Sequence, residues 1–160
     1  MLGVTVLCLG KLKESYLREA CLEYQKRLTR FCKLNIIELV PESLPSEPSA
    51  AQIEAALNTE GKRLLAEIPN GSYVYALCIE GKQRSSERFS KELSDLPLSG
   101  KSHVTFVIGS SHGLSDEVKG RADAKLSMSE MTFPHQLARV MLLEQIYRAF
   151  QISTGGKYHK

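Results

Sequence analysis

Short apolar runs alternate with amphipathic segments along the chain, and this alternation is the feature that most restricts its fold. The segments between the runs carry apolar residues at every third or fourth position, as on one face of a helix. Such an order favours an α/β fold with a mainly parallel sheet and helices on both faces of that sheet. The length of 160 residues suits one domain spanning 1–160. The predicted strands are Leu2–Leu9, Leu34–Val40, Tyr73–Ile79, Val104–Ile108 and Ala124–Met128.

Local signals mark where the helices begin and end. Ser49 is followed three residues later by Gln52, which is the pattern of a capping box. Ser115 precedes two acidic residues that favour a helix N-terminus, and Pro134 suits a first helical turn. Pro69-Asn70-Gly71 is typical of a turn. The predicted helices run from Lys11 to Arg30, from Ser49 onward, from Ser85 or Ser86 to near Leu96-Pro97, from Ser115 onward, and from His135 to Ile152.

The last predicted helix is unusually apolar. Its apolar stripe is wider than packing on one face of a sheet requires. Two interpretations remain open: a partner subunit in a homodimer covers the remainder, or the helix lies centrally within one chain. The stripe consists of Leu137, Val140, Met141, Leu142, Leu143, Ile146, Tyr147 and Phe150.

Charge and hydropathy exclude some classes of protein. No apolar run approaches the roughly 20 residues of a membrane-spanning helix. Leu2–Leu9 lacks the basic region before it and the cleavage site after it that a signal peptide needs, so we expect a cytoplasmic protein. The net charge of +3 does not by itself indicate nucleic-acid binding.

Neither the cysteines nor the histidines are spaced as metal ligands, so we expect no metal site. Cys8, Cys21, Cys32 and Cys78 form no C-x-x-C pair, and we expect buried, reduced thiols.

The loop Gly109–Leu114 lies between a predicted strand and a predicted helix. Its first five residues match the nucleophile elbow of serine hydrolases, and Asp123 and His159 follow Ser111 in the required order. We reject that interpretation because Gly113-Leu114-Ser115 separate the serine from the helix, and because such hydrolases need a larger sheet. A glycine loop at the carboxyl end of a parallel strand favours ligand binding instead. Neither a Walker motif nor G-x-G-x-x-G is present, so the ligand need not be a phosphate.

Charged and hydrogen-bonding residues near the end of the chain are further candidates. Arg139 and Arg148 lie nine residues apart, which places them on opposite sides of a helix and predicts different roles. Each is either a structural ion pair or a site residue. The tail Tyr158-His159-Lys160 is basic and aromatic, a composition that suits contact with RNA.

Several uncommon residues of the C-terminal third recur in the register of a known family. They are Met131-Thr132-Phe133-Pro134-His135-Gln136, Arg139-Val140, Glu144 to Ala149, and Tyr158-His159. With Leu9 to Lys13 and Ile79 to Lys82, they make the whole chain resemble the RlmH family of SPOUT-class ribosomal RNA pseudouridine N3-methyltransferases. The resemblance implies a SPOUT domain with a C-terminal trefoil knot, and a homodimer without a separate RNA-binding domain.

The resemblance also implies a cofactor site for S-adenosylmethionine. The matching residues are Leu77, Gly109, Met128, Ser129, Glu130, Met131, Thr132 and Phe133. Backbone contacts at Glu130 would accept many side chains. One departure is Ser110, where members of the family commonly have a second glycine, so a side chain there could crowd the cofactor or the substrate.

The implied reaction is N3-methylation of a pseudouridine in large-subunit (23S) ribosomal RNA on the assembled ribosome. Arg139 would hold a phosphate or a base carbonyl, Tyr158 and His159 would position the base, and His159 would accept the N3 proton. We expect the tail to become ordered on substrate binding and to act across the dimer interface. The main alternative is a catalytically inactive ribosome-binding module with the same fold.

Overall fold

A computed structural model describes all 160 residues and contains five parallel strands and five helices. The strands are β1 (Leu2–Leu9), β2 (Cys32–Leu39), β3 (Tyr73–Gln83), β4 (His103–Ile108) and β5 (Ala124–Ser127). The helices are α1 (Ser15–Leu28), α2 (Ala50–Ala66), α3 (Ser86–Leu98), α4 (Asp116–Arg121) and α5 (His135–Ser153). None of the helices is both long and apolar enough to span a membrane.

The sheet has the strand order β2-β1-β4-β3-β5, and every neighbouring pair is parallel. Helices cover both of its faces. One apolar core lies between the sheet and α1, α3 and α5, and a smaller one lies between the sheet and α2 and α4. The predicted α/β fold with helices on both faces is therefore confirmed. All five strands end at the same edge, which brings the loops that follow them together.

The capping predictions are confirmed at three helices. Ser49 and Gln52 form a complete capping box at α2. The side chains of Ser85 and Ser115 accept backbone hydrogen bonds at the starts of α3 and α4. These bonds depend on residues three positions apart, which is why the sequence predicts them well.

Two boundaries differ from the prediction by four residues, and the others that differ do so by one or two. The first helix begins at Ser15 rather than Lys11, because Glu14 is still extended with φ −84° and ψ 132°. Strand β3 continues to Gln83 rather than ending at Ile79, because after a bulge it pairs again with β5.

Helix α5 contacts both α1 and α3. Leu142, Leu143 and Ile146 are fully buried against the sheet. Val140, Met141, Tyr147 and Phe150 remain only half-buried, and Leu137 is exposed. The helix is thus central within one chain, but its apolar stripe is not completely covered.

Candidate active site

The candidate site is a cavity of about 710 Å³ at the carboxyl edge of the sheet. The loops that follow β3, β4 and β5 line it, and the first turn of α5 closes one side. Its volume lies within the roughly 300–1,000 Å³ usual for small-molecule pockets. The edge at which it opens is the one where parallel α/β sheets bind ligands.

The structure brings nearly all of the predicted cofactor residues together around this cavity. Those that line it are Leu77, Gly109, Met128, Ser129, Met131, Thr132 and Phe133. Glu130 differs, because it is exposed and does not line the cavity. Any contact from that position would therefore have to come from its backbone.

Close backbone packing explains why a glycine occupies position 109. A Cβ atom there would lie 2.6 Å from the carbonyl carbon of Gly113, closer than real contacts allow. Gly113 itself has φ +90°, which other residues rarely adopt. The Gly113 N–H donates to the Ser110 carbonyl at 2.9 Å, so the turn closes with a serine where a second glycine is common in the RlmH family.

The loop after β5 is held by its own side chains. Ser127 Oγ donates to the Ser129 carbonyl at 3.1 Å, and the Met131 N–H donates to Ser129 Oγ at 3.0 Å. At its start, β5 lies directly against the end of β3, since a Cβ at Gly81 would come within 2.8 Å of the Lys125 carbonyl carbon. These contacts fix the direction in which Met131 to Phe133 leave the sheet.

Sequence reasoning missed several residues that line the cavity. Cys78, Ile79 and Ala138 supply part of its wall, and Lys119 lies at its margin. The Lys119 ammonium contacts the Glu80 carboxylate at 2.5 Å, which raises the pKa of Lys119 and lowers that of Glu80. Only the strand order brings these positions together, so the local sequence gives little sign of them.

His135 also lines the cavity, at the first turn of α5. Burial lowers the pKa of its imidazole, and the positive charges of Arg139 and Lys13 lower it further. A neutral imidazole at neutral pH follows, since the ordinary pKa is already near 6.5.

The serine-hydrolase arrangement is absent. Asp123 Oδ2 accepts the Val74 N–H at 2.8 Å, and His159 Nε2 lies 2.7 Å from Glu87 Oε1. Neither residue is hydrogen-bonded to Ser111, which is exposed. The structure also has no group of three His, Cys, Asp or Glu side chains that could hold a metal ion.

The tail packs on its own chain in this structure. The Tyr158 hydroxyl donates to Glu144 Oε1 at 3.0 Å, and its ring meets Tyr147 edge-on with centroids 4.9 Å apart. Burial, followed by hydrogen bonds with Tyr24 and Glu144, raises the pKa of Tyr158 to about 12. Arg148 donates to His159 Nδ1 at 3.0 Å, which leaves Nε2 to donate to Glu87.

Arg139 lies at a different place on α5, as its spacing from Arg148 predicts. Its side chain is 3% exposed. Nη1 donates to Glu38 Oε2 at 2.6 Å, and Nη2 donates to the Gly10 carbonyl at 3.0 Å. Its Nε is buried and has no acceptor. Arg139 therefore ties α5 to the ends of β1 and β2.

None of the three predicted catalytic residues, Arg139, Tyr158 and His159, lines the cavity of this chain. The tail contacts α5 at Glu144, six residues beyond Ala138, the last residue of α5 that lines the cavity. At about 1.5 Å per residue, that separates the tail from the cavity by roughly 9 Å along the helix. One chain thus presents a cofactor-sized pocket and a tail that does not reach it.

Residues 2–159 match the family described as predicted SPOUT methyltransferases. Two curated relatives, from Lactobacillus acidophilus and Clostridioides difficile, are each named ribosomal RNA large subunit methyltransferase H. Each is 50% identical over 159 residues, which cover 99% of this chain and 100% of the relative.

Two solved structures have a similar fold at low sequence identity. A probable methylase family protein from Haemophilus influenzae has a TM-score of 0.54 at 13% identity, over 100% of this chain and 72% of that protein. The tRNA (m1G37) methyltransferase from Aquifex aeolicus has a TM-score of 0.52 at 12% identity, over 91% of this chain and 69% of that protein. At such identities the likeness concerns the fold alone.

Proposed function

The chain belongs to the SPOUT methyltransferase family, and on that premise we propose that it methylates N3 of a pseudouridine in large-subunit ribosomal RNA, with S-adenosylmethionine as the methyl donor. The observation that carries the proposal is the cavity formed by the loops at 109–114 and 128–133. Relatives that are 50% identical over their full length are named as methyltransferases of large-subunit ribosomal RNA, which supports the RNA substrate. The pseudouridine and its N3 atom come from the resemblance to the RlmH family.

The residues of the cavity fit the proposed cofactor. Leu77, Met131 and Phe133 offer apolar wall, and Gly109 lines the cavity with backbone rather than with a side chain. When bound, S-adenosylmethionine supplies an electrophilic methyl group carried on a sulfonium. The residues of the chain then have to align the base with that group and assist loss of the N3 proton.

We assign the tail to the substrate base. Tyr158 would position the base, and His159 would accept the N3 proton directly or through a water molecule. Two roles are open to Arg139. It could release Glu38 or the Gly10 carbonyl on substrate binding and then contact an RNA phosphate or a base carbonyl. Alternatively, it acts by holding the ends of β1 and β2.

The separation of tail and cavity supports a homodimer in which each tail completes the partner's cavity. The half-buried apolar residues of α5 support the same arrangement, since a second chain would cover them. They border a second cavity of about 460 Å³, lined in part by Tyr24, Val140 and Met141. An interface there would lie beside the cofactor pocket, because Leu126 and Met128 line both cavities.

We also propose that the connection from β5 to α5 is threaded as a trefoil knot. Strand β5 lies at the sheet edge, whereas α5 contacts α1 as well as α3, so the chain has to pass α3 between them. Leu126 pairs with both Leu77 and Lys82. The end of β3 therefore bends around β5, as a loop that surrounds a threaded segment would.

The proposed substrate is the assembled ribosome in the cytoplasm. With a net charge of only +3, the chain has a small electrostatic attraction for naked RNA. A composite surface of the ribosome would supply the contacts that naked RNA lacks.

The test is transfer of radiolabelled methyl from S-adenosylmethionine to ribosomes that lack the modification, with free RNA and separated subunits as controls. We expect label on assembled ribosomes, at N3 of a pseudouridine. Cofactor binding without label on any ribosomal substrate would assign the activity to another RNA. Absence of cofactor binding would favour an inactive ribosome-binding module.

A further inference from the structure

The loop from Gly10 to Glu14 joins β1 to α1 beside the candidate active site. It follows the carboxyl end of β1, and β1 is the sheet neighbour of β4, whose loop lines the cavity. The first turns of α5 connect the two places. His135 and Ala138 line the cavity, while Gln136 and Arg139 contact the loop.

Side chains from elsewhere hold the backbone of this loop. Arg139 donates to the Gly10 carbonyl at 3.0 Å, and Gln136 Oε1 accepts the Lys13 N–H at 3.2 Å. Arg18 Nη1 donates to the carbonyls of Leu12 at 3.0 Å and Lys13 at 2.7 Å. The Gly10 N–H donates to the Leu39 carbonyl, and the φ of Gly10 is +88°. A loop fixed at so many points presents its side chains in a defined arrangement.

The two lysines of this loop carry free positive charges beside the cavity. The Lys11 and Lys13 side chains are exposed and have neither a hydrogen-bond nor a salt-bridge partner. Three other cations nearby are engaged: Arg139 with Glu38, Lys119 with Glu80, and Arg18 with backbone carbonyls. Lys125 is a further exposed lysine, and its charge acts on Cys78 and Glu80 rather than at the loop after β1. The charge of Lys13 acts at the cavity, since it contributes to the lowered pKa of His135.

We propose that Lys11 and Lys13 bind backbone phosphates of the RNA that flank the target nucleotide. The proposal rests on the proposed function and extends it, because it specifies which surface receives the RNA. An ammonium group on a flexible stem suits a phosphate as a point charge. Neither lysine lines the cavity, so the proposed partner is the RNA rather than the carboxylate of the cofactor. Arg139 is then a positioning residue, which holds the loop at Gly10.

The test compares two double variants of equal net charge. Lys11→Gln with Lys13→Gln removes the proposed contacts. Lys33→Gln with Lys62→Gln is the matched control, because both residues are exposed and lie on β2 and α2. Binding of each full-length protein to ribosomes lacking the modification is measured over a series of salt concentrations. Calorimetry with S-adenosylmethionine and thermal unfolding show whether the cofactor site and the fold are intact.

We expect the Lys11 and Lys13 variant to bind ribosomes about 10-fold or more weakly, with a log–log salt slope smaller by roughly 1.4–1.8, because each phosphate contact contributes about 0.7–0.9 to that slope. Its cofactor affinity should match that of the wild type, and the control should match the wild type in both measurements. Ribosome binding equal to that of the control would overturn the proposal, and so would a loss confined to cofactor affinity.

The two proposals fail in different ways. If the wild type binds ribosomes but transfers no methyl, the proposed reaction fails while the salt slopes still decide the role of the lysines. If the wild type transfers methyl and both double variants behave alike, the reaction stands and the lysine contacts do not. Wild-type protein that does not bind ribosomes overturns the lysine proposal as well.

Discussion

Gly109 is the residue at which the candidate site leaves the least room. Its backbone lies against the carbonyl of Gly113 and also lines the cavity. Ser110, by contrast, tolerates a side chain, because its carbonyl rather than its Cα closes the turn. The surrounding backbone thus excludes a side chain at position 109 and accommodates one at position 110, although the two positions are adjacent in the sequence.

We predict that Gly109→Ala lowers affinity for S-adenosylmethionine at least 10-fold, because the added methyl group must displace the loop at 109–113. Calorimetric titration of the purified variant measures this. Gly120→Ala is the matched control, since a Cβ at Gly120 on α4 meets no atom within 4 Å. The control should bind the cofactor as the wild type does and unfold at an equal or slightly higher temperature. Unchanged affinity of Gly109→Ala would exclude the loop from the cofactor site.

At the scale of elements, the first turns of α5 join the ends of β1 and β2 through the pair Arg139–Glu38. Arg139 is buried, whereas the Glu38 side chain is 33% exposed. Solvent can therefore compensate Glu38 for loss of its partner more easily than it can compensate Arg139.

We predict that Glu38→Gln lowers the free energy of unfolding by about 2–3 kcal/mol, because it leaves the Arg139 charge buried and unpaired, and that Arg139→Gln lowers it by about 1–2 kcal/mol, because solvent can hydrate Glu38. A double-mutant cycle in urea should give a coupling energy of about 1 kcal/mol. The exposed pair Arg27–Glu23 on α1 is the comparison, and its coupling should be a few tenths of a kcal/mol. A coupling for Arg139–Glu38 as small as that would argue against a structural role for the pair.

The sequence predicts those elements whose determinants are local. The caps at Ser49, Ser85 and Ser115 depend on bonds within one turn. The start of α1 was wrong because long-range bonds from Gln136 and Arg139 hold the preceding loop extended. The end of β3 was wrong because its last residues pair with a strand more than 40 residues away.

The candidate site is predictable only in part for the same reason. The glycine loop after β4 and the segment Met128 to Phe133 follow from residue types and from the resemblance to a family. Cys78, Lys119 and Ala138 enter the site because of strand order, which hydrophobic periodicity does not determine. The packing of Tyr158 on Tyr147 is likewise a tertiary contact, which the composition of the tail does not indicate.

Removal of the tail should affect cofactor binding and methyl transfer differently. We predict that deletion of Tyr158–Lys160 abolishes methyl transfer while leaving cofactor affinity nearly unchanged, because the tail does not line the cavity of its own chain. Calorimetry and the radiolabel assay measure the two properties on the same preparation. Deletion of Lys160 alone is the control and should retain transfer. A parallel loss of transfer and cofactor affinity would refute this division of roles.

At the scale of the whole molecule, the candidate cofactor cavity and the proposed substrate-binding tail of one chain do not meet. The cavity extends along α5 as far as Ala138, and the tail contacts Glu144 roughly 9 Å further along that helix. A two-fold axis beside the half-buried stripe of α5 would place each tail near the partner's cavity. This arrangement predicts that two defects on different chains complement each other.

We therefore predict that, at a cofactor concentration too low to load Gly109→Ala, mixed dimers of Gly109→Ala and the Tyr158–Lys160 deletion recover activity that neither variant shows alone. Each mixed dimer would contain one cavity able to bind cofactor, completed by one intact tail from the other chain. Random exchange of subunits between equal amounts of the two variants makes half of the dimers mixed, and each has one working site of two, so about a quarter of wild-type transfer is expected. Differently tagged chains and sedimentation analysis verify that mixed dimers form. If verified mixed dimers had no activity, each tail would act on the cavity of its own chain. The tail would then have to break its contacts with Glu87 and Arg148 to reach the base.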